Sequence, residues 1–458
     1  MLKKTFVFVA LFLGTLGLYL TGVSADETES VQKLNTGIEI STGGQVDYLS
    51  DNECTTKVNL STGTQIRISS DQLIDSLYIV WDQIPGQWQL QINGKSYTYG
   101  KNNFLHEFVT LPVQTNELTI VITGESTVLC DVSAFPKGQL PSWVQNWSNP
   151  CEKADIIVFS THADDEQLFF GGLIAYYAGE VKASVQVVYL VQYWTGPYAS
   201  PQRNHEALNG LWTIGVTNYP VVGEFEDYYS RERGTDKSPA LALAETQYDT
   251  DAVLKYVVEQ IRRFKPQVAV GHDVINGEYG HGAHMLFAKK LVEALDVSNV
   301  ASYDPESASK YGVWDVPKTY LHLYPENTIN LNLRVPLASF GGKTALDVAK
   351  EGFNCHKSQL YIDIAKVDDE YYLSCAKFGL YRSLVGADTG KNDILENITL
   401  YKNQEVETQE TSTEKIDSEV GKNPKGNYYI FFVAGAAVLI ILFMVIVSVN
   451  NKKKRKRY

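Results

Sequence analysis

The sequence predicts an α/β protein built on a mainly parallel sheet with helices on both faces. A small all-β sandwich is expected before it and one transmembrane helix after it. Three patterns carry that expectation. Within the stretch 154–271, apolar runs such as Ile156–Phe159 and Ser184–Val191 alternate with segments of helical period, as in a covered parallel sheet. Between about 36 and 135, short runs of strand-forming residues are bounded by Gly, Asp, Asn and Ser. Near the C-terminus, Ile430–Val449 is apolar throughout and uncharged, enough for the ~20 residues of a bilayer crossing. At 458 residues, with 44% hydrophobic and 20% charged, the chain is too long for one ordinary domain and has a globular composition.

The N-terminus carries Lys3-Lys4, an apolar run from Thr5 to Leu20, and then Val23-Ser24-Ala25. A basic start, an apolar core and a small-x-small site make residues 1–25 a secretory signal. The segment 30–140 should hold strands at Gln65–Ser69, Ser76–Trp81, Trp88–Ile92 and Glu117–Ile122. Asn93-Gly94 is the preferred pair for a tight hairpin turn. Regular spacing suggests a sandwich, similar in size and position to the galactose-binding-like modules of secreted carbohydrate enzymes; a structural spacer fits equally well. Pro136–Pro150 reads as a linker.

The second unit, 150–402, reads as Rossmann-like. Strands are expected at Ala154–Phe159, Ser184–Val191 and Gln267–Gly271, and helices at Glu166–Ala178, Arg203–Ile214, Val253–Phe264 and Asp347–Ile362. Residues 403–427, full of Glu, Thr, Ser and Lys, form a flexible stalk. The membrane helix is placed at 428–450, and the tail 451–458 is basic, which the positive-inside rule assigns to the cytoplasm. The two ends therefore put the folded part outside the cell on a single anchor, a layout that fits a Gram-positive surface. A net charge of −13 without a basic patch in the body argues against nucleic acid. The five cysteines are odd in number and show no C-x-x-C spacing, so a thiolate metal site is not indicated; Cys54 and Cys130 could pair within the first unit.

The stretch Ser160–Gly172 crowds His162, Asp164, Asp165 and Glu166 onto a strand-to-helix turn, where open α/β sheets place their ligands. Asp164 could simply cap the helix, with Asp165 and Glu166 favouring the positive end of its dipole. That leaves His162 without a role. The metal alternative makes a further demand. His162 and Asp165 supply two ligands, and a catalytic zinc takes three plus a water, so a third must come from another loop at the same edge. The strand ending at Gly271 runs into Gly277-Glu-Tyr-Gly-His-Gly-Ala-His284, which offers His281 and His284. Three of the eight histidines thus fall on two loops at strand ends.

This pair of motifs resembles the LmbE-like, or PIG-L, family of zinc-dependent N-deacetylases acting on N-acetylglucosamine conjugates. Where that family has His-Pro-Asp-Asp-Glu, this chain has His162-Ala-Asp-Asp-Glu166; where it has Gly-x-x-Gly-His-Pro-Asp-His, Gly277–His284 keeps both histidines. Arg203-x-x-Glu206 and His356-Lys-Ser-Gln359 also match, and the resemblance spans about Ala154 to Tyr401. It implies Zn2+ on His162, Asp165 and His284, with Asp164 as general base and His281 as general acid or oxyanion stabiliser. It also implies Tyr279 polarising the amide carbonyl and Arg203 contacting substrate. His/Asp ligands would accept Fe2+ or cobalt as well. Gly282-Ala283 replaces Pro-Asp, so a carboxylate partner for a histidine of that loop must come from elsewhere, with Glu278 and Asp273 as candidates.

The sequence therefore reads as an extracellular, membrane-anchored N-deacetylase of N-acetylglucosamine-type sugars in a glycoconjugate or polysaccharide. Its partners would be that N-acetylated sugar and the membrane. The competing readings are an amidase acting on another glycoconjugate amide and a catalytically inactive glycan-binding protein. An aspartyl-phosphate phosphatase would show Asp-x-Asp after the strand, and an aspartic protease two Asp-Thr/Ser-Gly motifs; neither is present.

Overall fold

The computed structural model describes residues 30–362 and 364–404. The described residues from 30 to 400 belong to one compact unit; 401–404, in a second unit, are helical. The expected signal, the stalk beyond 404, the membrane helix and the basic tail lie outside the described residues. Among the described residues no helix is long and apolar enough to cross a membrane.

The N-terminal strands are β1 (Gly37–Ile40), β2 (Val58–Leu60), β3 (Gln65–Trp81), β4 (Trp88–Ile92), β5 (Lys95–Tyr99), β6 (His106–Ile122) and β7 (Thr127–Phe135). They form one antiparallel sheet of order β2-β7-β3-β6-β4-β5, with β1 added on β3. The all-β unit expected there is present, and its strands are joined into one hydrogen-bonded set through β3 and β6. The runs Gln65–Ser69 and Ser76–Trp81 are two halves of a single 17-residue strand, and Glu117–Ile122 ends another of equal length. Register shifts between Ser69 and Ser76 interrupt the β3–β6 ladder there. The first half of β3 then takes β1 as its other neighbour and the second half takes β7. The hairpin forms as expected, with Asn93 at φ 50° and Gly94 at φ 75°, the two positive angles a two-residue turn requires. The linker is not loose, because Val144, Gln145 and Trp147 are buried and Ser148 bridges to Asn218.

The second sheet contains β8 (Ile156–Ser160), β9 (Val185–Gln192), β10 (Val221–Glu226), β11 (Val268–Gly271), β12 (Lys318–His322), β13 (Thr328–Asn330) and β14 (Lys377–Ser383). Its order is β10-β9-β8-β11-β12-β14-β13, parallel over the first five strands and antiparallel over the last two. Every residue of β8, β9, β11 and β12 is buried, so their apolar runs reflect cover on both faces. From β8 the chain steps outward to β9 and β10; from β11 it steps the other way to β12. The switch point lies between β8 and β11, and a crevice opens beyond their C-terminal ends.

Two helices depart from expectation. Glu166–Ala178 is broken into Asp165–Leu168, Gly171–Ile174 and a wide turn over Ala175–Glu180. The break falls at Phe169–Phe170, and the turn that follows opens on two glycines that pack tightly: a Cβ on Gly172 would lie 2.5 Å from Leu333 Cδ1. Asp347–Ile362 is helical only as part of Ala345–Phe353, which opens with a capping box between Thr344 and Asp347. The chain then turns, and the turns carry His356 and Ser358 back to Glu166 and Glu206.

Candidate metal centre

The loop after β8 and the start of helix Gly282–Val297 bring three ligand-type atoms to one point. His162 Nδ1 lies 3.0 Å from Asp165 Oδ2 and 3.0 Å from His284 Nε2, and the last two are 3.0 Å apart. Asp165 Oδ2 also accepts from the His162 backbone N–H at 2.8 Å, which folds the turn around it. His284 uses its other nitrogen, Nδ1, on Glu278 Oε2 at 2.8 Å, so Nε2 presents its lone pair to the cluster. Two imidazole nitrogens and a carboxylate oxygen cannot all be satisfied at this spacing without a proton or a cation among them. Burial penalises charge on both rings, yet Asp227 and Asp165 lift His162 to about 9. Asp165 and Glu278 likewise lift His284 to about 10. The point selects positive charge, and this donor set fits a divalent metal.

Asp164 sits beside the cluster and outside it. Its backbone is at φ 141°, a strained conformation held by a 2.8 Å bond from its N–H to Glu166 Oε2. Glu166 Oε1 faces His356 Nε2 at 2.7 Å. Burial raises the Asp164 carboxyl to about 6, with Arg203 opposing and Asp165 reinforcing the shift. Asp165 is instead held well below the usual carboxylate range, because His284 and His162 outweigh its burial. Arg203 lines the crevice, but its Nη2 is engaged by Ala163 O at 2.6 Å and Asp164 Oδ1 at 3.1 Å, while its guanidinium stacks on Tyr193. In this structure it braces Asp164 as much as it faces the cavity.

The crevice is a cavity of about 530 Å³ lined by His162, Asp164, Asp165, Arg203, Tyr279 and His281, among others. His281 stacks 4.7 Å from His284, and its Nδ1 is buried without a hydrogen-bond partner among the described residues. Burial first, then His284 and His162, keep its pKa well below the ordinary histidine value. Tyr279 packs 5.8 Å from the His284 ring, and the Arg231 guanidinium lies over the Tyr279 ring, 5.0 Å from its centroid. All seven candidates from the sequence therefore meet in one crevice.

Sequence reasoning missed four participants. Asp227, just beyond β10, faces His162 Nε2 at 3.3 Å. Arg231 reaches the cavity from the same loop. His272, directly after β11, accepts from Thr161 N–H at 3.0 Å and meets Glu278 Oε2 at 3.1 Å. His322, at the end of β12, meets Glu278 Oε1 at 2.8 Å. The available signal was position, since both histidines end neighbouring strands of the same sheet. Of the two candidate carboxylate partners, Glu278 serves the histidines, while Asp273 receives Ile275 N–H and Asn276 N–H within its own loop.

Residues 157–295 match the family model described as PIG-L, GlcNAc-PI de-N-acetylase. The chain is 27% identical over 214 residues to the 1D-myo-inositol 2-acetamido-2-deoxy-alpha-D-glucopyranoside deacetylase 1 of Catenulispora acidiphila, covering 43% of this chain and 62% of that one. It is 28% identical over 246 residues to deacetylase 2 of the same description from Saccharopolyspora erythraea, covering 50% and 83%. It is also similar to the solved N,N'-diacetylchitobiose deacetylase of Pyrococcus horikoshii, at 14% identity and a TM-score of 0.35, covering 47% of this chain and 74% of that one. The chain spans 62% and 66% of the first two curated relatives it matches.

Proposed function

Residues 157–295 carry a PIG-L, LmbE-like domain, of a family of deacetylase hydrolases, and on that premise we propose that this protein is a metal-dependent N-deacetylase of N-acetylglucosamine-type sugars. The observation that carries the reading is the three-way convergence of His162, Asp165 and His284 at 3.0 Å, with Asp164 alongside. The matched curated relatives are deacetylases of an acetamido sugar joined to inositol.

His162 Nδ1, Asp165 Oδ2 and His284 Nε2 would hold the metal, zinc by preference. When bound, a divalent cation there supplies Lewis acidity toward the acetamide carbonyl and makes a water acidic enough to attack near neutral pH. Asp164 takes the proton of the attacking water. Its raised pKa suits a group that must accept a proton near neutrality and release it again. His281 is kept neutral by burial and by the neighbouring histidines, which supports the role of hydrogen-bond donor to the developing oxyanion over that of an imidazolium acid. Tyr279 closes the same wall. Arg203 orients Asp164 and presents its remaining surface to substrate. Exposed Tyr198 and Tyr229 flank the cavity mouth, ring centroids 6.5 Å apart, and offer flat apolar faces to a sugar ring.

We further place the domain outside the cell on a C-terminal membrane helix; the sequence of both ends supports this. Acetate release from N-acetylglucosamine oligomers, measured with and without chelator, tests the activity. Release that stops on chelation and returns with zinc is the expected result. A different carboxylic acid from a glycoconjugate would indicate the wider amidase, and binding without any hydrolysis the inactive glycan-binding protein.

A further inference from the structure

All eight histidines lie in two groups, and the crevice accounts for six of them. The other two, His106 and His205, pair with each other where the β sheet packs on helix Gln202–Thr213, and His205 meets Cys54, Cys130 and Asp82. We propose that Cys54 Sγ, Cys130 Sγ and His205 Nε2 form a second, structural metal site for a zinc-class cation, with Asp82 as the nearby fourth donor.

The three ligand atoms all lie within 4.8 Å of one another, and both cysteines are free. Asp82 Oδ1 is 3.6 Å from His205 Nε2, and its other oxygen accepts from Lys57 Nζ at 3.0 Å. The independent sign of a ligand is His205 itself. It is 2% exposed, and its Nε2 has no hydrogen-bond partner among the described residues.

A chain of hydrogen bonds sets which nitrogen of His205 is bare. The Trp147 indole can only donate, and it donates to Gln145 Oε1 at 2.8 Å, so that atom is the amide oxygen. His106 Nδ1, 2.8 Å from the same oxygen, must therefore carry a proton and donate. In neutral His106 the Nε2 is then an acceptor, and His205 Nδ1 donates to it at 2.9 Å. That leaves the lone pair of neutral His205 on Nε2, toward the two sulfurs. Metal-binding histidines are oriented in this way by a partner on the other ring nitrogen. The loop carrying Cys54 is also held, since Asn52 N–H donates to Asp131 Oδ2 at 2.8 Å. A cavity of about 380 Å³ lined by Cys54, His106 and Gln145 provides an approach. A Cys54–Cys130 disulfide would leave both the bare His205 nitrogen and its relay without a purpose. Two sulfurs and an imidazole select zinc over the harder magnesium or calcium. The site would staple the β sheet to the helix whose Arg203 braces Asp164.

The test uses the full chain, isolated without added oxidant and loaded with cobalt. Only thiolate ligation gives a strong sulfur-to-cobalt charge-transfer absorption, and the His/Asp/His crevice contains no sulfur. The band should appear in the wild type, bleach when zinc is added, persist in Asp165→Ala and vanish in the double variant Cys54→Ser, Cys130→Ser. Bleaching by zinc in the wild type reads the site without depending on the fold of a variant. A second equivalent of bound zinc, lost in the double variant, should accompany it. No band in the reduced wild type, a band that survives loss of both cysteines in Cys54→Ser, Cys130→Ser, or a Cys54–Cys130 bond found by peptide mapping of the protein as isolated would each overturn the proposal. None of these readouts requires deacetylase activity.

Discussion

Asp164 and Asp165 are neighbours in the chain with opposite electrostatic settings. Asp165 is surrounded by imidazoles and stays ionised; Asp164 is raised to about 6 by burial. Asp164→Asn should therefore lower the rate of deacetylation by roughly 10²–10⁴-fold with bound metal unchanged. A parallel fall in metal content would move Asp164 from base to ligand. Glu278 meets the Nδ1 atoms of His272, His284 and His322 with one carboxylate. An amide there would set an NH2 group against at least one ring N–H. Glu278→Gln is accordingly expected to weaken metal binding at the crevice by about 10–100-fold, read by competition with a chromogenic chelator.

Helices position these side chains, and helix Gly282–Val297 depends on a residue of another helix. Arg262, from helix Thr250–Phe264, is fully buried and donates to the carbonyls of Val297, Ser298, Val300 and Asp304. It thereby satisfies the C-terminal carbonyls of the helix whose first turn carries His284. Arg262→Met keeps much of the volume and removes every donor. With each buried unpaired acceptor costing ~1–3 kcal/mol, the variant should lose several kcal/mol. The expected readout is a lower urea midpoint with an unchanged slope.

On the scale of the molecule, the crevice brings together groups from the ends of β8, β10, β11 and β12, so a bound metal joins segments far apart in the chain. A cation that binds the folded state alone stabilises it by about 2.7 kcal/mol when present at 100 times its Kd. Chelation should therefore lower the thermal midpoint of the wild type, and the drop should shrink in Asp165→Ala. Calorimetry with and without chelator checks both.

The sequence alone determined whatever rests on local spacing. A buried apolar run followed by His162 and Asp165 three residues apart, and a second strand followed by His281 and His284, were enough to place the crevice at a sheet edge. Asn93-Gly94 specified its hairpin for the same reason, because two positive φ angles are a property of two residues. Only the tertiary structure decided the remainder. Whether two apolar runs are two strands or one bent strand, as in β3, depends on which neighbours pair with each half. Asp227, His272 and His322 join the site through strand order, and Cys54 and Cys130 meet His205 through the packing of a sheet on a helix. No local periodicity records such contacts, since they are set by which strands lie side by side and which faces they bury.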